Sequence, residues 1–191
     1  MLRRISVTAA LTLAASAPAL AHLDPAAHGS MLAGASHPFF GLDHILAMVA
    51  VGLWAATIGG RAVWIVPASF VVVMTAGFAL ALGGASLPFV EPAILASVVA
   101  LGLLVALAVR LPVALCASVV GVFALFHGFA HGGELGGAGA WRFALGFAVS
   151  TAILHAVGLG LGMALARTGG TWGARLAGGA TAAAGLALMV A

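Results

Sequence analysis

Histidine and carboxylate side chains fall into two short motifs in a chain that is otherwise almost entirely apolar. In the first motif, HPFFGLDH, His37 and His44 are seven positions apart and Asp43 directly precedes the second histidine. If a helix begins near Pro38, two turns separate these histidines and place them on one face, about 10 Å apart along the axis. Gly41 lies between them and leaves room for a ligand or for a neighbouring helix.

The second motif, FHGFAHGGE, contains His127, His131 and Glu134 at positions i, i+4 and i+7 of one helical stripe. Two histidines at i and i+4 let both imidazoles reach one metal ion. On a helix antiparallel to the first, His131 would face His37 and His127 would face His44 at matching depths. Nitrogen and oxygen donors without thiolates suit Ni²⁺, Co²⁺, Zn²⁺ or Fe²⁺ better than Cu⁺. The two motifs therefore predict one site for a divalent transition metal.

Three further side chains have roles that the sequence leaves open. Asp43 and Glu134 either bind the ion directly or orient the imidazoles beside it. His155 lies deep in a later apolar segment. It is either an inner waystation for the ion or the partner in a hydrogen bond between helices.

The composition places the elements that carry these motifs in a membrane. Hydrophobic residues make up 64% of the 191 residues and charged residues only 6%, whereas soluble domains carry about 25% charged residues. The 27 glycines suit helices that pack closely in lipid. The seven basic residues form no basic run, so we expect no nucleic-acid partner. A single cysteine, Cys116, excludes a disulfide framework and a thiolate metal cage.

Six apolar stretches have about the 20-residue length that crosses a bilayer. They are Pro38–Ile58, Ala62–Leu82, Pro92–Val109, Pro112–Ala130, Trp141–Ala166 and Trp172–Ala191. The predicted fold is an all-α membrane protein, with six transmembrane helices in one domain over residues 22–191.

Residues 1–21 are typical of a signal peptide: a positive start, a short apolar stretch and Ala19-Leu20-Ala21 before the cleavage point. An uncleaved first helix is the alternative. Cleavage would leave His22 as the amino terminus, outside the cytoplasm. Its α-amine and imidazole could then chelate a metal, and His28 could add a donor. We therefore predict metal capture by this segment; the alternative is that His22 is merely tolerated after the cleavage site.

The arginines predict the orientation of the helices. With His22 outside, the inner connections hold Arg61, Arg110, Arg167 and Arg175, and the outer connections hold Arg142. An excess of positive charge marks the cytoplasmic side. The expected location is the bacterial inner membrane, with both mature termini in the periplasm.

At the two motifs the sequence resembles the HupE/UreJ family of hydrogenase- and urease-accessory membrane proteins. HPFFGLDHILAMVAVGLWA is similar to the family's first-helix signature and FHGFAHGGE to its fourth-helix signature, and the resemblance extends over the whole chain. It implies secondary uptake of nickel, or of cobalt in some members, for metalloenzyme assembly. It also implies that the functional positions are His37, Asp43, His44, His127, His131 and Glu134.

The resulting prediction is a permease for a divalent transition metal, with Ni²⁺ first and Co²⁺ second, and with no prosthetic group or enzymatic activity. The oligomeric state stays open. One alternative is an integral-membrane metalloenzyme, which the absence of a G-x-S-x-G nucleophile elbow disfavours. A haem protein would need axial histidines on facing helices, which a single i, i+4 pair fits less well. The other alternative is a metal-binding accessory protein, such as a sensor or chaperone, that does not transport.

Overall fold

The computed structural model describes residues 30–134 and 139–191, and these residues form helices without any strand. The helices are α1 (Met31–Ser36), α2 (Leu42–Ile58), α3 (Ala62–Leu82), α4 (Val90–Ala106), α5 (Val113–Glu134), α6 (Ala140–Gly169) and α7 (Thr171–Val190). A 3-10 turn, His37–Phe39, connects α1 to α2. The predicted signal peptide, His22 and His28 lie outside the described residues.

The helical, multi-pass architecture predicted from the sequence is confirmed, but the number of six spans is not. Among the described residues, α3, α5, α6 and α7 are long and apolar enough to cross a bilayer, and a fifth span results if α1 and α2 count as one bent unit. Helix α4 has 17 residues and is apolar but shorter. All six predicted segments are therefore helical, whereas length and composition support four or five crossings.

The prediction of one continuous helix over Pro38–Ile58 is wrong. The segment Met31–Phe39 meets α2 at an angle of 81°, and Gly41 precedes α2 in an extended conformation with φ −96° and ψ 116°. A Cβ atom at Gly41 would lie 2.7 Å from Nδ1 of His44 and 2.8 Å from Oδ1 of Asp43. The absence of a side chain at Gly41 therefore leaves the space that the side chains of His44 and Asp43 occupy.

Two close backbone contacts hold the helices that carry the motifs. Helix α5 packs along α3, and α6 packs along α2. A Cβ atom on Gly128 of α5 would overlap the carbonyl oxygen of Met74 on α3, and one on Gly52 of α2 would overlap that of His155 on α6. Glycine thus lets these backbones touch, as small residues do between helices in lipid. Helices α5 and α6 consequently hold fixed positions against their neighbours.

Two hydrogen bonds join α2 and α7 to the end of α4 and to the segment that follows it. The indole Nε1 of Trp54, near the end of α2, donates to the carbonyl oxygen of Val109 at 2.8 Å. Nε of Arg175, at the start of α7, donates to the carbonyl oxygen of Ala106 at 2.8 Å. We name this end of the bundle the arginine end, because its connections and adjoining helix termini carry Arg61, Arg110, Arg167 and Arg175. The opposite end, where α2 and α6 begin and α3 and α5 finish, is the histidine end.

The contact between α3 and α5 generates a test. Gly128→Ala should lower the thermal unfolding midpoint of the purified protein in detergent, because overpacking costs about 1–3 kcal/mol. Gly121→Ala on the same helix is the matched control, since its Cβ atom would meet only the Val73 side chain at 3.6 Å, an ordinary contact. Equal midpoints for the two variants would contradict the close approach.

Candidate metal centre

Three histidines from three different elements meet at the histidine end. His37 lies in the 3-10 turn, His44 in the first turn of α2 and His131 in the last turn of α5. Each offers one ring nitrogen, and these atoms all lie within 4.8 Å of one another. His44 and His131 are buried, at 5% and 6% exposure, and His37 is half-buried. We call these three residues the histidine cluster.

The shortest contact in the cluster joins Nε2 of His44 to Nε2 of His131 at 2.7 Å. One of these nitrogens must carry the proton. Oδ1 of Asp43 lies 3.0 Å from Nδ1 of His44, an ion-pair distance without the geometry of a hydrogen bond. A carboxylate this close favours a proton on Nδ1. Nε2 of His44 is then the acceptor and Nε2 of His131 the donor. The charge of Asp43 therefore favours the tautomer of His44 whose Nε2 lone pair faces His131.

The cluster is close to the dimensions of a coordination site. Imidazole nitrogens bind first-row ions such as Zn²⁺ at about 2.0–2.1 Å, so donors around one ion are about 3–4 Å apart. The 2.7 Å separation of the two Nε2 atoms is slightly too short, and the 4.8 Å limit of the group is slightly too long. Shifts of about 1 Å or less, with loss of the proton between His44 and His131, would let the three imidazoles surround one ion.

His127 lies beside the cluster, one turn before His131 on α5. Its ring centroid is 5.6 Å from that of His44. Its Nδ1 donates to the carbonyl oxygen of Phe123 at 2.9 Å, which leaves Nε2 without a proton. Nε2 is buried and has no hydrogen-bond partner among the described residues. His127 thus presents a lone pair to the interior of the bundle.

The expected pairs are both in ring contact, His37 with His131 at 4.4 Å and His44 with His127 at 5.6 Å between centroids, but they do not lie in two separate layers. The His131 ring lies 4.4 Å from the His37 ring and 4.9 Å from the His44 ring, so it contacts both members of the first motif. A straight helix from Pro38 would separate His37 from His44 by about 10 Å along its axis. The break before α2 removes this separation. Their ring centroids are only 5.5 Å apart.

Two phenylalanines that sequence reasoning missed form one wall of the cluster. The Phe147 ring lies 4.8 to 6.0 Å from the rings of His37, His44 and His131, and Phe143 lies 5.8 Å from His37. The sequence did contain a signal, because Phe143 and Phe147 share one stripe of α6. An apolar wall strengthens electrostatic interactions inside the site by lowering the local dielectric constant.

The other predicted site residues are placed differently. Glu134 ends α5, and its side chain lies outside the described part of the structure. His155 does not belong to the cluster; it is buried in α6, with its ring 5.0 Å from that of Phe70. Within the described residues, neither ring nitrogen of His155 has a hydrogen-bond partner. The described residues therefore provide no hydrogen bond between helices at His155, which was one interpretation of this residue.

The comparison with known proteins covers nearly the whole chain. The family described as HupE / UreJ protein matches residues 9–188. The chain belongs to the HupE/UreJ family. It is 53% identical over 182 residues to Protein HupE of Rhizobium leguminosarum bv. viciae. The aligned region covers 94% of this chain and 95% of that protein. No solved structure matches the chain significantly.

The resemblance drawn from the two motifs is thereby confirmed. The family match spans both motifs, and the histidines of this HupE/UreJ protein come together from elements separated by nearly 90 residues of sequence. The assignment of individual residues as metal ligands stays a prediction.

The cluster generates a binding test on the purified full chain in detergent. His131→Ala should weaken Ni²⁺ binding by about 10-fold or more, because even residues that only orient ligands contribute 10- to 100-fold to metal affinity. Ser97→Ala is the control; this buried serine on α4 hydrogen-bonds only within its own turn, to the carbonyl oxygen of Ile94. Equilibrium dialysis measures both. Equal affinities of the two variants would show that the cluster does not bind the ion.

Proposed function

We propose that this protein is a secondary permease that carries a divalent transition metal across the membrane to supply metalloenzyme assembly. Ni²⁺ is the leading substrate and Co²⁺ the second. The observation that carries the proposal is the histidine cluster, three ring nitrogens within 4.8 Å of one another at one end of an apolar bundle. Membership of the HupE/UreJ family supports the proposal, because this family is associated with nickel or cobalt uptake.

The chemistry of the donors favours a transported ion over a permanently bound one. Imidazole nitrogen with a single carboxylate nearby suits Ni²⁺, Co²⁺ or Zn²⁺, and the cluster has no thiolate to hold an ion tightly. Among the carboxylates whose side chains the structure describes, Asp43 alone lies within 4.0 Å of a histidine. With that single carboxylate, a divalent ion would keep a net positive charge in the site. An incompletely neutralised charge in an apolar environment is unstable. Such a site can accept the ion and also release it.

The distribution of arginines between the two ends of the bundle supports the proposed orientation in the membrane. The arginine end carries four arginines, while Arg142 lies at the histidine end, just inside the start of α6. Positive residues accumulate on the cytoplasmic side of bacterial inner-membrane proteins. The proposed orientation therefore has the histidine cluster open to the periplasm and the arginine end in the cytoplasm. Ions would be bound from outside and released inside.

The membrane potential can supply the energy for this movement. One charge gains about 2.3 kcal/mol per 100 mV, so a divalent ion gains about 4.6 kcal/mol, equivalent to about three decades of concentration ratio. The sequence has no G-x-x-x-x-G-K-[ST] phosphate-binding loop, and it contains no lysine. Nucleotide hydrolysis is therefore not part of the proposal.

Uptake of ⁶³Ni²⁺ into proteoliposomes tests this energy source. With an inside-negative potassium diffusion potential, we expect accumulation well above equilibrium, because the potential drives the divalent cation inward. Collapsing the potential should reduce accumulation to the equilibrium level. Protein-free vesicles and vesicles with the His131→Ala variant are the controls.

The outcomes of this assay separate the candidate functions. Undiminished uphill uptake without a potential or a proton gradient would contradict a secondary permease. Normal Ni²⁺ binding by the purified protein together with no uptake would instead favour a metal-binding accessory protein. Co²⁺ and Zn²⁺ added as competitors would identify the preferred ion.

A further inference from the structure

His155 is a buried polar side chain whose hydrogen-bonding capacity the described structure does not use. Its exposure is 1%, and neither ring nitrogen has a hydrogen-bond partner within residues 30–134 and 139–191. Buried polar groups in proteins nearly always have a partner, so an exception requires an explanation. An imidazole kept in this condition has at least one nitrogen lone pair that can bind a cation.

The position of His155 relates directly to the histidine cluster. Phe147, Thr151 and His155 follow one another at four-residue steps on a single stripe of α6. Phe147 packs against all three rings of the cluster. His155 is eight residues further along the helix, about 12 Å deeper into the bundle. It therefore lies below the cluster, on the side towards the arginine end.

Helix α3 places Met74 and Phe70 against this stripe of α6. The Thr151 hydroxyl contacts Sδ of Met74 at 3.7 Å, and the Phe70 ring lies 5.0 Å from the His155 ring. Thr151 and Met74 are both buried. An oxygen and a thioether sulfur, each a weak metal donor, thus lie at an intermediate depth between the cluster and His155.

His127 connects the two levels. Its ring lies 5.6 Å from that of His44 in the cluster and 5.6 Å from that of Phe70. Phe70 therefore contacts both His127 and His155. In the described structure Nε2 of His127 also lacks a hydrogen-bond partner. Unused imidazole nitrogens thus continue inward from the cluster, through His127 to His155.

We infer that His155 forms an inner binding position for the divalent transition metal, which the ion reaches from the histidine cluster by way of His127. The inference rests on the proposed transport function and deepens it. The imidazole donors of His127 and His155, at successive depths, suit the same borderline ions as the cluster, such as Ni²⁺ and Co²⁺. They would divide a long movement through apolar protein into shorter steps between nitrogen ligands.

Ni²⁺ binding to the purified full chain tests the inner position separately from transport. The background variant His37→Ala/His131→Ala removes two ligands of the cluster and leaves His127 and His155 in place. Residual binding in this background should weaken by about 10-fold or more when His155→Gln is added. Glutamine keeps most of the side-chain volume, and Leu154→Ala is the control for disturbance of the neighbouring core. Thermal unfolding midpoints confirm that each variant is folded.

Uptake kinetics in proteoliposomes test the place of His155 on the path. In the otherwise unchanged chain, His155→Gln should lower the maximal rate of ⁶³Ni²⁺ uptake by about 10-fold or more and change the apparent KM by less than about twofold. The cluster still loads the ion in this variant, while the following step is slowed. Leu154→Ala should retain the maximal rate.

Each result decides one part of the inference. Residual binding that His155→Gln leaves unchanged would overturn the inner position. If His155→Gln removes the residual binding but the unmodified chain shows no uptake, the inner position is supported and the proposed transport is refuted. Loss of binding with an unchanged maximal rate would overturn the role of His155 as a step on the path.

Discussion

The break before α2 is the constraint on which the site depends. A straight helix from Pro38 would separate His37 from His44 by about two turns, whereas the 81° bend brings their rings to 5.5 Å. The bend also directs α1 against α6, where Ser150 Oγ donates a hydrogen bond to the carbonyl oxygen of Ala35. The element that carries His37 is thus fixed by α6, and the element that carries His44 by its own packing in the bundle.

The ends of two helices determine the electrostatics around the cluster. His131 lies in the last turn of α5, where the partial negative charge of the helix terminus favours a cation. His44 lies in the first turn of α2, where the partial positive charge opposes one. Asp43, in the same first turn, offsets that opposition and faces Nδ1 of His44. A carboxylate at this position therefore stabilises the helix terminus and would also offset the charge of a bound cation.

Much of the helical framework could be predicted from the sequence, because long apolar stretches in lipid have few alternatives to a helix. The stripe of His127 and His131 was also predictable, since it depends only on spacing within one helix. The break at Gly41 was not, because a proline near a helix start and a glycine one turn later fit a straight helix equally well. The wall of Phe143 and Phe147 depends on which helix packs beside α2. Such tertiary neighbours are not encoded in the periodicity of any single segment.

The hydrogen bond between Nε2 of His44 and Nε2 of His131 bears on the rate at which the proposed metal site would exchange its ion. Many zinc domains are unfolded without their ion and must assemble around it. Here the two nitrogens are already hydrogen-bonded to each other, so an arriving ion would exchange places with the proton between them and would not have to organise a disordered pocket. When the ion leaves, the same bond can re-form and hold α2 against α5. Loading and unloading of the proposed metal site would thus be ligand substitution on a preformed frame.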